Sequence, residues 1–84
     1  MVVGEHADNS GLQSGGWTIH WQGADGNYQG ASTIIDGIRE AAYGEVVYDV
    51  AGVDMHPDAD VAIICVGEKP YAEFFGDVGH EESD

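Results

Sequence analysis

Residues 61 to 66 read Val61-Ala62-Ile63-Ile64-Cys65-Val66, and Gly67 follows. An unbroken apolar run of this length marks a strand covered on both faces, as in a parallel sheet. A parallel sheet needs crossover connections, and the upstream sequence offers one. Ser32 or Thr33 can cap a helix whose apolar stripe is Ile34, Ile38 and Ala41, with Ile35 alongside. Gly44 stands where a helix C-terminal glycine is expected. Val46-Val47-Tyr48 then reads as a short strand. Met1-Val2-Val3-Gly4 reads as the end of another strand entering a turn, shorter than a usual core strand, as if clipped. Residues 51 to 60 make a weak second crossover, because Gly52 and Pro57 work against a long helix. The order strand, loop, helix, strand, weak helix, strand opens a doubly wound α/β fold. The expected architecture is a three-layer, flavodoxin-like partial parallel sheet with right-handed crossovers.

In such sheets ligands sit beyond the carboxyl ends of the strands. Those ends lead into Gly4 and Gly67. Segments 5–30 and 68–77 should therefore share one rim. The first is rich in Gly, Asn, Ser and Gln and reads as a long irregular segment, and its two tryptophans argue that it is ordered.

Composition narrows the function. The chain has 84 residues, with 16 acidic and two basic side chains and a formal net charge of −14. This size allows one small domain of marginal stability. A Lys/Arg phosphate clamp is excluded, and with it ordinary nucleic-acid binding. An anionic membrane surface repels such a chain, and no apolar run is long enough to span a bilayer. The N-terminus lacks the basic and apolar regions of a signal peptide, so a cytoplasmic location is the default expectation. The 43% hydrophobic content argues against disorder. The acid excess with a single lysine suits high salt, where self-repulsion is screened, and points to a halophilic chain.

Cys65 is the one cysteine, so an internal disulfide is ruled out, and it is expected to act as a small buried hydrophobe. His6, His20, His56 and His80 share no metal-ligand spacing, and no nucleotide-binding glycine motif occurs. Neither metal nor cofactor is expected.

Two segments can carry chemistry. Trp17 and Trp21 flank Thr18-Ile19-His20 in a glycine-rich stretch. Exposed indoles stack on flat apolar ligand faces, sugars included; buried ones would simply anchor a long loop. Glu68 and Glu73 bracket Lys69-Pro70-Tyr71-Ala72 directly after the apolar strand. A partly desolvated carboxyl there suits a general acid; a solvated one is an ordinary loop residue. Asp77 belongs to the same loop. Lys69 can orient one of these carboxylates or form a surface ion pair.

These residues resemble a family. Gly4-Glu5-His6-Ala7-Asp8-Asn9, Gln13 and Gly15-Gly16-Trp17-Thr18-Ile19-His20-Trp21-Gln22-Gly23 resemble the (α/β) sandwich domain of family 3 glycoside hydrolases. So do Thr33-Ile34-Ile35-Asp36-Gly37-Ile38 and Val66-Gly67-Glu68-Lys69-Pro70-Tyr71-Ala72-Glu73-Phe74-Phe75-Gly76-Asp77. That family holds retaining β-glucosidases and exo-β-glucanases. The resemblance implies that Glu73 is the general acid/base, with Glu68 as second choice. It implies that Trp21 is a sugar platform and Trp17 its neighbour, and that a β-glucoside or β-glucan is the substrate. The nucleophile of that family lies on a separate (β/α)₈ barrel domain. Residues 1–77 then correspond to the N-terminal half of the sandwich domain and residues 78–84 to an acidic tail.

The readings that follow are a glycosidase fragment that works only with a barrel domain, a non-catalytic carbohydrate-binding or interaction module, and a small acidic protein with purely structural loops. Three strands and one good helix leave an edge open. Self-association or partner binding through Val61–Val66 is therefore expected, strengthening with salt.

Overall fold

The computed structural model describes residues 1–53, 57–73 and 75. Three parallel strands form one sheet: β1 (Val2–Val3), β2 (Tyr48–Asp49) and β3 (Ile63–Ile64), in the order β2-β1-β3. This is the central-first order with which a flavodoxin-like sheet opens. Val2 lies beside Tyr48 and Ile63, and Val3 beside Asp49 and Ile64. The ladder is closed by Val2 N–H to the Val47 carbonyl and by the N–H groups of Ile63 and Cys65 to the Met1 and Val3 carbonyls, each at 2.8 Å.

The paired segments are shorter than the apolar patterns suggested. β1 is central and has two paired residues, so its neighbours find partners only opposite those two. Outside Ile63–Ile64, the Val61 carbonyl accepts from the Met1 ammonium and the Cys65 N–H donates to the Val3 carbonyl, both at 2.8 Å. The three-strand parallel α/β arrangement is otherwise the expected one.

The crossover helix is α2 here, Ile34–Ala41, because a shorter helix precedes it: α1, Ser10–Ser14. Thr33, not Ser32, caps α2. Its hydroxyl accepts from the Asp36 N–H at 3.3 Å, and its own N–H donates to the Asp36 carboxylate at 2.9 Å. This reciprocal box satisfies two donors that a helix start leaves unpaired. The helix ends with the Ala42 N–H on the Ile38 carbonyl, and Ala42 itself is extended, so Gly44 is not the terminating residue. The apolar stripe is also rotated from the expected one. Ile35 is fully buried and Ile38 half-buried, while Ile34 and Ala41 are exposed. α2 seats on the 3₁₀ turn Glu5–Asp8 and on β1, a narrow surface that takes one side chain deeply.

The core is correspondingly small. Val2, Ala7 and Ile35 form it, with Ile38, Val46, Tyr48 and Cys65 packed against it; Leu12 and Ala72 are buried elsewhere. Cys65 is thus half-buried rather than enclosed. The radius of gyration is 14.9 Å and the thinnest dimension 13 Å. A compact chain of this length would have a radius of about 12 Å. The run that suggested a doubly covered strand is largely bare: Val61 is 64% exposed, Ile64 62% and Val66 85%.

The weak crossover at 51–60 is not helical where it is described. Gly52 has φ of +68° and residues 57–58 form a turn. No described helix is long and apolar enough to cross a membrane.

Candidate functional site

The segment between β1 and α2 is more regular than its composition suggests, and polar side chains make it so. Asn9 caps α1, accepting from the Leu12 N–H at 3.0 Å, and the same oxygen accepts from the Gly26 N–H at 2.9 Å. The Asn9 amide donates to the Asp25 carboxylate at 2.7 Å. Asn27 accepts from the Ser10 N–H, and the Ser10 hydroxyl accepts from the Tyr28 N–H, both at 2.7 Å. Gly11 fits closely against the returning segment 24–26. A Cβ there would stand 2.3 Å from the Ala24 carbonyl oxygen and 2.5 Å from that of Gly26.

Between α1 and this return lies the tryptophan loop. The Trp17 N–H donates to the Trp21 carbonyl at 2.9 Å, closing residues 17–21 into a tight loop. At its tip the His20 N–H reaches the Thr18 carbonyl at 2.6 Å across Ile19, whose φ is +60°. This is a γ-turn, costly for a β-branched residue. Trp17 also has positive φ, +65°. The outcome is display: Trp17 is 70% exposed, Ile19 76% and Trp21 45%. The two indoles meet edge to face with centroids 6.0 Å apart. Both are therefore rim residues and not buried anchors.

The segment after β3 returns along this loop. A Cβ on Gly16 would stand 2.3 Å from the Tyr71 carbonyl oxygen, and one on Gly23 2.5 Å from the Pro70 ring. The Ala72 N–H donates to the Gln22 side-chain oxygen. The His6 Nε2–H donates to the Glu68 carbonyl at 3.0 Å. Lys69 pairs with Asp25 at 2.9 Å. The two chemically rich segments do share a rim, as the strand ends implied.

Trp21 and Glu73 are both connected to this seam through their neighbours, Gln22 and Ala72. Glu73 is exposed, with φ of +28°, and its carbonyl accepts from the Phe75 N–H at 2.6 Å. Glu68 is exposed too, and its carboxylate accepts from the Tyr71 hydroxyl, which raises the Tyr71 pKa above its usual value. Among the described residues, nothing encloses either carboxyl. Lys69 orients neither of them; it is spent on Asp25, whose pKa is lowered first by that hydrogen bond and next by the one from Asn9. Asp77, His56 and His80 lie outside the described residues. Among the described residues, no group of three His, Cys, Asp or Glu side chains could hold a metal.

Sequence reasoning passed over His6, Asn9 and Gln22 as working parts. Gln22 stood inside the quoted tryptophan run, and a side-chain amide in a glycine-rich loop is a signal for such a tie. Its oxygen takes the Ala72 N–H, while its Nε2 is buried with no partner among the described residues.

No protein-family profile matches the chain. It is 26% identical over 98 residues to the lysosomal beta glucosidase of Dictyostelium discoideum. That match covers 93% of this chain and 12% of the relative, so the chain spans about an eighth of the relative's length. The similarity relates the chain to a glycoside hydrolase.

Proposed function

We propose that the chain supplies one side of a retaining β-glucosidase or exo-β-glucanase site of the family 3 type. In this reading Glu73 is the general acid/base, Trp21 with Trp17 binds sugar on its apolar face, and a barrel domain brings the nucleophile. The observation that supports it most is the seam between the two loops. Ala72, the residue before Glu73, bonds to Gln22, the residue after Trp21. That bond, from a backbone N–H to a side-chain oxygen, ties together the segments that carry Trp21 and Glu73, and a tie of this kind is what positioned acid catalysis needs.

The chemistry follows from retention. Glu73 protonates the departing glycosidic oxygen while the nucleophilic carboxylate, about 5–5.5 Å away, takes the anomeric carbon; Glu73 then deprotonates the water that releases the sugar. Desolvation of Glu73 would come from the docked barrel and substrate. The chain alone hydrolyses nothing.

The test mixes the chain with a β-glucosidase barrel domain and an aryl β-glucoside. Hydrolysis should need both parts. Glu73→Gln should slow it by about 10²–10⁴-fold, with rate restored by azide, which attacks the glycosyl intermediate without a general base. If Glu68→Gln behaves this way instead, the roles are exchanged. The exposed tryptophan pair favours a second reading, a non-catalytic carbohydrate-binding module of salt-adapted character. A glucoside-dependent change in tryptophan emission, with no mixture giving hydrolysis, would select it.

A further inference from the structure

Two backbone conformations in the tryptophan loop are unfavourable, and something must hold them. Trp17 and Ile19 have φ of +65° and +60°, a region that non-glycine residues keep only where their surroundings fix them. The bond from the Trp17 N–H to the Trp21 carbonyl joins the ends of the loop and leaves its tip to be set separately. At the tip the Thr18 carbonyl accepts two hydrogen bonds. One comes from the His20 N–H at 2.6 Å and closes the γ-turn over Ile19. The other comes from the Tyr28 hydroxyl at 3.1 Å, ten residues further on.

Tyr28 is built as a fixed post. Its N–H donates to the hydroxyl oxygen of buried Ser10 at 2.7 Å, and its carbonyl accepts from the Ala31 N–H at 3.2 Å. With the phenol on Thr18, every polar group of Tyr28 is used, and the residue is half-buried. Thr18 is held from the other side by its own hydroxyl, which donates to the Ser14 carbonyl at 3.2 Å. Ser10 and Ser14 are the two ends of α1. The carbonyl whose direction decides the turn is thus fixed between them.

We propose that Tyr28 is a positioning residue: its phenol holds the Thr18 carbonyl, and with it the strained turn that sets Trp17 and Trp21 edge to face, so that the platform is formed before sugar arrives. This rests on the reading of the two indoles as a sugar platform. A preformed platform loses less conformational freedom on binding, so the phenol acts on affinity and not on proton transfer at Glu73.

Indoles 6.0 Å apart and inclined at 60° couple their transitions, and the resulting exciton signal in circular dichroism reports the pairing in the full chain by itself. Tyr28→Phe keeps the ring and removes the bond, and the signal should fall by at least about half with helical content unchanged. Tyr71→Phe removes another phenol, one bonded to Glu68, and should leave the signal as it is. Ile19→Gly in the Tyr28→Phe background lifts the positive-φ penalty that the phenol offsets and should restore the signal, a rescue that general loosening of the fold would not allow. In the mixture with a barrel domain, Tyr28→Phe should raise KM for the aryl β-glucoside about three- to tenfold at unchanged kcat. An unchanged indole signal in Tyr28→Phe, an equal loss in Tyr71→Phe, failure of the glycine rescue, or a fall in kcat without a rise in KM would overturn the proposal. If no mixture hydrolyses the glucoside, the catalytic reading fails by itself, and the indole signal of the chain still decides the role of Tyr28.

Discussion

At the carboxyl ends of the strands, Asn9, Ser10, Gln13, Gln22 and Asn27 each bond a backbone group of a neighbouring segment. Along the outer side of β3, by contrast, Val61, Ile64 and Val66 lie mostly in solvent. The rim has little apolar area to bury and is ordered by side-chain amides that replace a missing ladder. The β3 edge has the apolar area and a strand-like backbone, and among the described residues no strand pairs with its outer side. Order at the rim therefore rests on satisfied polar groups more than on hydrophobic burial.

The comparison breaks most sharply at Gly11. Gly11→Ala drives a Cβ into the Ala24 and Gly26 carbonyl oxygens, backbone atoms that cannot swing aside. A loss of about 2–3 kcal/mol is expected, enough to abolish cooperative urea unfolding in a chain this small. Gly37→Ala is the matched control. A Cβ there meets nothing within 4 Å, and the helical position should gain up to about 1 kcal/mol. Asn9→Ala comes next, because one oxygen serves both the α1 cap and the Gly26 N–H. Urea midpoints should report a loss of about 1–2 kcal/mol. If Asn9→Ala is silent, the polar rim is not what orders the segment.

Acid sharpens the contrast. The pKa values of Asp25 and Asp36 are lowered from 3.8, Asp25 chiefly by Lys69 and Asp36 chiefly by the Thr33 backbone. A depressed folded-state pKa gives stability that is present above the unfolded value and lost as pH falls through the folded one. Circular dichroism should fall as pH drops below about 3.8. Lys69→Met removes the first cause at Asp25 and should begin the fall at higher pH. The smallest effect belongs to the other region. Ile64→Ser should change stability by no more than about 0.5 kcal/mol, since the side chain is 62% exposed. A larger loss would mean that β3 is held by contacts of its own.

Much of this was legible beforehand. Thr33 was one of the two caps the sequence offered for α2, and the strand patterns pointed to the parallel sheet and the shared rim. α1 was not legible. Ser10-Gly11-Leu12-Gln13-Ser14 has no apolar period and weak helix formers, and it is held by Asn9 and by partners at Asn27 and Tyr28, far along the chain. Spacing could not say whether Trp17 and Trp21 were buried or exposed. The positive φ values at Trp17 and Ile19 decide it, and such values in non-glycine residues have no sequence signature. The resemblance pointed to Glu73, but its tie through Ala72 to Gln22 spans 50 residues and appears only in the fold.

The thin core has a thermal consequence. The heat-capacity change of unfolding comes from apolar surface newly exposed to water, and a compact domain of 84 residues would show about 1.0–1.3 kcal/mol/K. With Val2, Ala7 and Ile35 as the centre of a slab 13 Å thick, much of that surface is already wet in the folded state. The change should be smaller, and the stability curve correspondingly flat. Warming or cooling by tens of degrees then alters this fold less than it alters a thicker one, and its melting is a gradual slope in place of a step.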